Sequence, residues 1–225
     1  MSISPLNLNF SATQGQANPP GQTVAVANTG GSSLDWQAKV DSSALTWLSV
    51  TPIQGTVAAG QAQKMTANVN TTGLSPGTYS TQVSVTATDG SGKQVRGSPQ
   101  IFTVTLTVFQ PCSLQVTPSN LSFTATLLQP NPPGQTVTLN EVGHCSYPVT
   151  WTASVVDPSS HTWLSVSPTS GSDNGSGSTI TVNVNATGIL LGVYTGQIML
   201  SATDNGGNKL QNSPQDVSVT LTVVV

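Results

Sequence analysis

Apolar residues along this chain recur at every second position, in short runs separated by turn-forming residues. One set of runs comprises Val24 and Val26; Met65, Ala67 and Val69; Tyr79, Thr81, Val83, Val85 and Ala87; and Val104, Leu106 and Val108. Side chains of a strand point to alternate faces, so a period of two predicts strands with one apolar and one hydroxylated face. The same phase returns in Val137 and Leu139; Ile180, Val182 and Val184; Tyr194, Ile198, Leu200 and Ala202; and Val219, Leu221 and Val223. No window favours a helix. Between the runs of the first set stand "PPGQ", "NTGGSS", "TPIQGTVAAG", "TGLSPG" and "DGSGKQVRGSP", whose Gly and Pro supply turn dihedrals.

The returning phase is the trace of a duplicated sequence. "PPGQTVAV" at Pro19 comes back as "PPGQTVTL" at Pro132, and "LTWLSVTPIQG" at Leu45 as "HTWLSVSPTSG" at His161. "GTYSTQVSVTATD" at Gly77 likewise returns as "GVYTGQIMLSATD" at Gly192. The matches predict two homologous domains, 1–109 and 110–225, joined around "FQPCS". About seven strands in roughly 110 residues, with Gly- and Pro-rich turns between them, is the pattern of an all-β, immunoglobulin-like antiparallel sandwich, here in tandem. Trp36 and Trp151 fall where such sandwiches bury a tryptophan in the third strand, and are expected in the core. Tyr79 and Tyr194 follow a Gly turn at the start of a long strand, as in a tyrosine corner.

The order "LSF", "PPGQTV", "W", "WLSVSPTSG", "TVNVNATG", "VTLTV" resembles the BACON and related bacterial immunoglobulin-like repeats over nearly all of both units. The "WLSVSP" element followed by "SG" is its most specific part. The resemblance implies exported bacterial proteins, often multidomain, in which such units accompany enzymes or surface anchors. Carbohydrate or mucin binding has been proposed for the family from the company it keeps, and no family binding residues can be carried over. The extracellular space or the bacterial cell surface is the expected location.

Charge narrows the function. Only 6% of residues are charged and five are basic, with a pI near 4.9. A phosphate-neutralising groove needs clustered Lys and Arg, so nucleic acid is set aside as a partner. No run approaches the roughly 18–20 apolar residues of a membrane span, and "MSISPLNLNF" lacks the basic start and apolar stretch of a secretory signal, so the chain as given reads as soluble. The two histidines, His144 and His161, have no sequence partner that makes a relay, and the eight carboxylates are scattered. Neither a hydrolytic triad nor a glycosidase pair is supported, so no enzyme activity and no cofactor are expected. Asp89, Asp173 and Asp204 sit singly beside Gly-rich turns, which suits hairpins better than a calcium site needing several converging carboxylates. The Asn-x-Ser/Thr sequons at Asn9, Asn70, Asn120, Asn174 and Asn185 are expected by chance in so Asn- and Thr-rich a chain.

Three features remain as candidates. If "TWLSV" is a strand with Leu48 and Val50 facing the core, Trp47 faces out, and Trp163 does the same beside Leu164 and Val166. An outward indole is a platform for the apolar face of a sugar, but the leading reading is a lid folded over the open end of the sandwich, since both copies need closing, and contact with another domain or chain is the third. Tyr147, in an extended loop, is a third aromatic for such a platform. Cys112 and Cys145, both in the second unit, are candidates for a disulfide closing a loop of about 34 residues, given an oxidising compartment. The partners that fit are a further copy of the chain, by head-to-tail or edge-strand assembly, or a polysaccharide. A structural role as stalk, spacer or fibre subunit is the leading expectation, and carbohydrate binding the runner-up.

Overall fold

The structure, a computed structural model, describes residues 1–41, 44, 46–156 and 163–225. The chain divides into two units, Met1–Gln110 and Pro111–Val225. The first contains β1 (Ser2–Ser4), β2 (Asn7–Thr13), β3 (Gln22–Ala27), β4 (Leu34–Val40), β5 (Leu48–Thr51), β6 (Gln54–Val57), β7 (Ala62–Val69), β8 (Gly77–Asp89) and β9 (Gln100–Phe109). The second repeats the series as β10 (Ser113–Thr117), β11 (Asn120–Thr126), β12 (Gln135–Val142), β13 (Val149–Val156), β14 (Leu164–Ser167), β15 (Ser170–Asp173), β16 (Ser178–Val184), β17 (Gly192–Thr203) and β18 (Gln215–Val224). Each unit is a sandwich of a four-stranded sheet, β1-β3-β7-β5 or β10-β12-β16-β14, and a five-stranded sheet, β2-β9-β8-β4-β6 or β11-β18-β17-β13-β15.

Among the described residues each unit therefore has nine strands rather than about seven. The surplus comes from prolines. Pro5 and Pro118 stand between β1 and β2 and between β10 and β11, and Pro52 and Pro168 between β5 and β6 and between β14 and β15. Proline has no N–H to continue a ladder, so the chain leaves one sheet there and joins the other; β6 thus forms within "TPIQGTVAAG", which the sequence reads as a turn, and β1 precedes the runs read as strands. The switch has a topological consequence: β2 runs parallel to β9 and β11 parallel to β18, while the other strand pairs are antiparallel.

The period of two becomes the core. In β9 and β18 every second residue, Phe102 to Val108 and Val217 to Val223, is buried between the sheets. Burial of each such side chain contributes about 1.5–3 kcal/mol. Trp36 and Trp151 are buried, and their indole N–H groups donate to Gln63 Oε1 and Ser178 Oγ, each at 3.0 Å, so the polar edge of the ring is satisfied. The edge strands β1, β5, β10 and β14 span three to five residues. Among the described residues only β2 and β11, at seven residues each, present a long edge. The sheets are thus blunted by the length of their edges rather than by charge. Among the described residues no helix is long and apolar enough to cross a membrane.

Candidate functional site

The repeated tryptophans turn inward. Trp47 is 6% exposed and Trp163 1%. The expectation of an outward ring assumed that strand alternation begins at the tryptophan, but β5 and β14 begin one residue later, at Leu48 and Leu164. Trp47 lies in the preceding turn, its N–H donating to Ala44 O at 3.1 Å, so its ring turns inward and consecutive residues 47 and 48 are both buried. The backbone carbonyls of Trp47 and Trp163 accept from Asn70 and Asn185 at 2.8 and 2.7 Å. The Trp47 ring packs at 6.2 Å and 54° on Tyr79, whose hydroxyl donates to Ser75 O at 2.8 Å. In the second unit Tyr194 donates to Leu190 O at 3.0 Å, and Trp163 lies so close over Gly196 that a Cβ there would stand 3.2 Å from its ring. Tryptophan and tyrosine close one end of each sandwich.

Tyr147 is the predicted aromatic that does meet solvent, at 38% exposure. Its ring lies over Gly175, where a Cβ would come within 3.2 Å of the phenol. Beside it is a pair of carboxyl groups, Glu141 on β12 and Asp173 on β15. Asp173 is buried and accepts from Ser176 N (3.0 Å), Ser176 Oγ (3.1 Å) and Gly177 N (2.8 Å). Glu141 Oε1 is shielded from solvent and, alone among the buried side-chain polar atoms of the described residues, has no donor. Desolvation first, then the Asp173 carboxylate as hydrogen-bond acceptor and as charge, pushes the Glu141 carboxyl from 4.5 up to about 7. Desolvation opposes ionisation of Asp173, but hydrogen bonds from Glu141, Ser176 and Gly177 outweigh it and hold its carboxyl below the ordinary value. One proton, carried by Glu141 and donated to Asp173, accounts for both directions. Burial, then the charges of Glu141 and Asp173, raise the Tyr147 phenol.

The other loop carboxylates serve their own turns. Asp89 Oδ1 accepts from Ser91 N, Ser91 Oγ and Lys93 N, and Asp204 from Gly206 N, Asn208 N and the Asn208 amide. Those hydrogen bonds, from Ser91 first and from Asn208 first, lower both carboxyls. No group of three or more His, Cys, Asp or Glu side chains able to hold a metal occurs among the described residues, and His161 lies outside them.

Both copies thus share the inward tryptophan, the tyrosine corner and the sheet-switching prolines, and the family model of the viral BACON domain matches them separately, over residues 1–98 and 113–223. The chain belongs to this family. The matching BACON model carries a viral description, whereas the resemblance in sequence pointed to bacterial repeats. A search of curated proteins finds no match. Among solved structures, mouse clustered protocadherin γC3 domains EC1–3 are similar with a TM-score of 0.51 at 13% identity, covering 100% of this chain and 67% of that one. The extracellular cadherin domains 1–5 of protocadherin γB2 give 0.50 at 14%, covering 98% and 39%. A protein of unknown function from Porphyromonas gingivalis gives 0.42 at 13%, covering 98% of each chain. At such identities the likeness concerns the fold alone, that of β-sandwich modules.

The second BACON unit carries a covalent tie that the first lacks. Cys112 and Cys145 form a disulfide, with Cα atoms 4.7 Å apart. Antiparallel pairing of Ser113 with Val142 brings the two ends together, and Cys112 is held further by Gln211, whose N–H donates to its carbonyl. Sequence reasoning missed Glu141 as a site residue. Aligning the copies would have found it: the positions of Asn28 and Val57 in the first unit are those of Glu141 and Asp173 in the second. Asn28 is buried, its amide donating to Ser32 O and Val57 O. The second unit replaces that neutral, fully bonded amide with a pair of acids.

Proposed function

We propose that the chain is a non-catalytic structural module, a spacer or self-associating subunit that works outside the cell or on a surface. The observation that carries this reading is the burial of both repeated tryptophans: aromatic residues that the two copies share close their own sandwiches. The tyrosine corners and the Asp89 and Asp204 turns are consumed in the same way by local structure. The disulfide supports an oxidising compartment. Sparse charge leaves the faces free to approach one another without strong repulsion. Assembly by edge pairing would use β2 or β11, since the other edge strands are too short to template a partner.

The test is negative-stain microscopy of the purified chain over a concentration series under non-reducing conditions, alongside a polysaccharide panel. Ordered assemblies that grow with concentration support a subunit, and discrete particles retained by no polysaccharide support a spacer. Retention on a polysaccharide, lost in Tyr147→Ala, would overturn the structural reading in favour of carbohydrate binding, because Tyr147 is the exposed member of the three candidate aromatics.

A further inference from the structure

The two units build the same pair of loops at the end closed by the tyrosine corner. The loop after β2 is tied by Gln14 N to Phe109 O (2.9 Å) and Gln16 N to Thr13 O (3.0 Å). Its counterpart after β11 is tied by Leu127 N to Val224 O (2.9 Å) and Gln129 N to Thr126 O (3.1 Å). Each encloses a cleft with the loop before β8 or β17, of about 380 and 400 Å³ respectively. The backbone is shared, but the side chains are not. Gln14, Gly15, Ser75, Pro76 and Thr78 of the first unit are Leu127, Leu128, Leu190, Leu191 and Val193 in the second.

Every one of these five changes replaces a polar, glycine or proline position by an aliphatic side chain that points into water. Leu128 is 96% exposed, Leu190 79%, Val193 66%, Leu191 51% and Leu127 41%. In the first unit the Gln14 amide donates to Leu74 O at 3.0 Å and bridges the two loops, a link Leu127 cannot make. Leu128 also keeps the left-handed backbone, φ 62°, for which the first unit uses Gly15 at φ 79°. A leucine there costs local conformational energy and finds no core to enter. Folding alone favours the first unit's residues at these positions, so the apolar set is explained by what it meets outside.

We propose that this end of the second unit, Leu127, Leu128, Leu190, Leu191 and Val193, is a docking face for a second copy of the chain; the inference rests on the reading of the protein as a self-associating module and assigns its contact surface. The five side chains present roughly 500 Å² of apolar surface, at the upper end for a monomer's largest patch. Two such faces in contact would bury about 1,000 Å², the lower limit for a specific interface and the range of reversible dimers. The residues lining the cleft carry no charge, so a two-fold contact sets no like charges against each other. A lipid surface suits the face less well. The one Lys or Arg of residues 111–225, Lys209, sits in the turn at the far end of β17, away from Gly192 and the leucines, so no Lys or Arg of this unit flanks them to engage anionic headgroups.

Sedimentation velocity on the full chain, from micromolar to millimolar concentration, tests the proposal. The wild type is expected to dimerise reversibly, and Leu127→Gln/Leu128→Gly/Leu190→Ser, which restores the first unit's residues, to weaken the dimer at least tenfold. Circular dichroism controls for folding, and the single variant Leu128→Gly, which relieves a strained position, provides a second test without risk to the fold. Ile53→Ser, an exposed apolar site of the first unit, should leave dimerisation unchanged. A dimer that persists in the triple variant overturns the docking face while leaving the structural-module reading intact. A wild type that stays monomeric overturns it too, and co-flotation of that monomer with phosphatidylcholine vesicles would give the face to lipid. Failure of the structural-module reading itself is seen separately, as retention on a polysaccharide.

Discussion

Replacing Glu141 by Gln removes the shared proton of the Glu141–Asp173 pair while keeping a donor for Asp173, and so isolates the pair's contribution to pH-dependent stability. The Glu141 carboxyl is raised from 4.5 to about 7 in the fold. A group raised above its unfolded value adds stability that is complete below the unfolded value and is lost as pH rises through the folded one. Asp173, lowered, behaves oppositely: its contribution is present above its ordinary 3.8 and is lost only as pH falls through its value in the fold. The second unit is therefore most stable in mildly acid solution and weakens between about pH 5 and 8. Each pKa unit corresponds to about 1.4 kcal/mol, and because Glu141 is only partly buried, solvent screening reduces the effect to about 1–2 kcal/mol. For a unit of this size that is a fall of roughly 4–8 °C in melting temperature. Calorimetry at pH 5, 6, 7 and 8 should show this fall in the wild type, in the transition that shifts when the disulfide is reduced, and a flatter profile in Glu141→Gln. Parallel profiles across this range would refute the shared proton.

Truncation of either repeated tryptophan, Trp47→Ala or Trp163→Ala, is expected to cost about 3–5 kcal/mol, read as a lower urea midpoint of the affected unit. Cys112→Ser/Cys145→Ser should destabilise the second unit by roughly 4 kcal/mol in the chain-entropy model and leave the first unit's transition unmoved. Gly171→Ala should cost about 1–3 kcal/mol in thermal melts, because its new Cβ would stand 2.5 Å from the Trp151 ring and force the indole out of place. Leu128→Gly should stabilise by up to about 1 kcal/mol, the left-handed strain relieved exceeding the added freedom of the unfolded chain.

The fold was legible because its determinants are local and periodic. Alternation from Val104 to Val108 and from Val219 to Val223 predicts which face is buried, and the sheets bury it. The tyrosine corners were legible from a Gly turn followed by Tyr at the start of a long strand. What misled was the first residue of a strand. "TWLSV" alternates on paper through Trp47, but the turn before Leu48 breaks the phase, and a one-residue shift reverses which way a side chain points. The strand count fell short because "TPIQGTVAAG", with its Pro and Gly, reads as a turn, whereas the proline ends pairing with one sheet without ending the extended chain and β6 follows it. Glu141 and the leucine end were hidden differently: neither forms a motif, and each shows only when one copy of the repeat is read against the other.

The parallel pairing of the first long strand with the last also determines how each unit would bear a mechanical load. Tension applied at the two ends of the first unit pulls β2 and β9 in opposite directions along parallel axes, so after the short β1 is lost the seven-residue ladder from Asn7 to Thr13 is sheared as a whole rather than opened one bond at a time. The second unit has the same clamp, β11 on β18, but there the force crosses from Cys112 to Cys145 through the disulfide and bypasses β10, β11 and β12 altogether. With the sequence separation of 33 between the cysteines excluded from extension, the oxidised unit would lengthen by about 110 Å less on unfolding than the reduced one. Two sandwiches of identical topology are in this way given different mechanical responses, one set by a hydrogen-bonded clamp and the other by the redox state of a single bond.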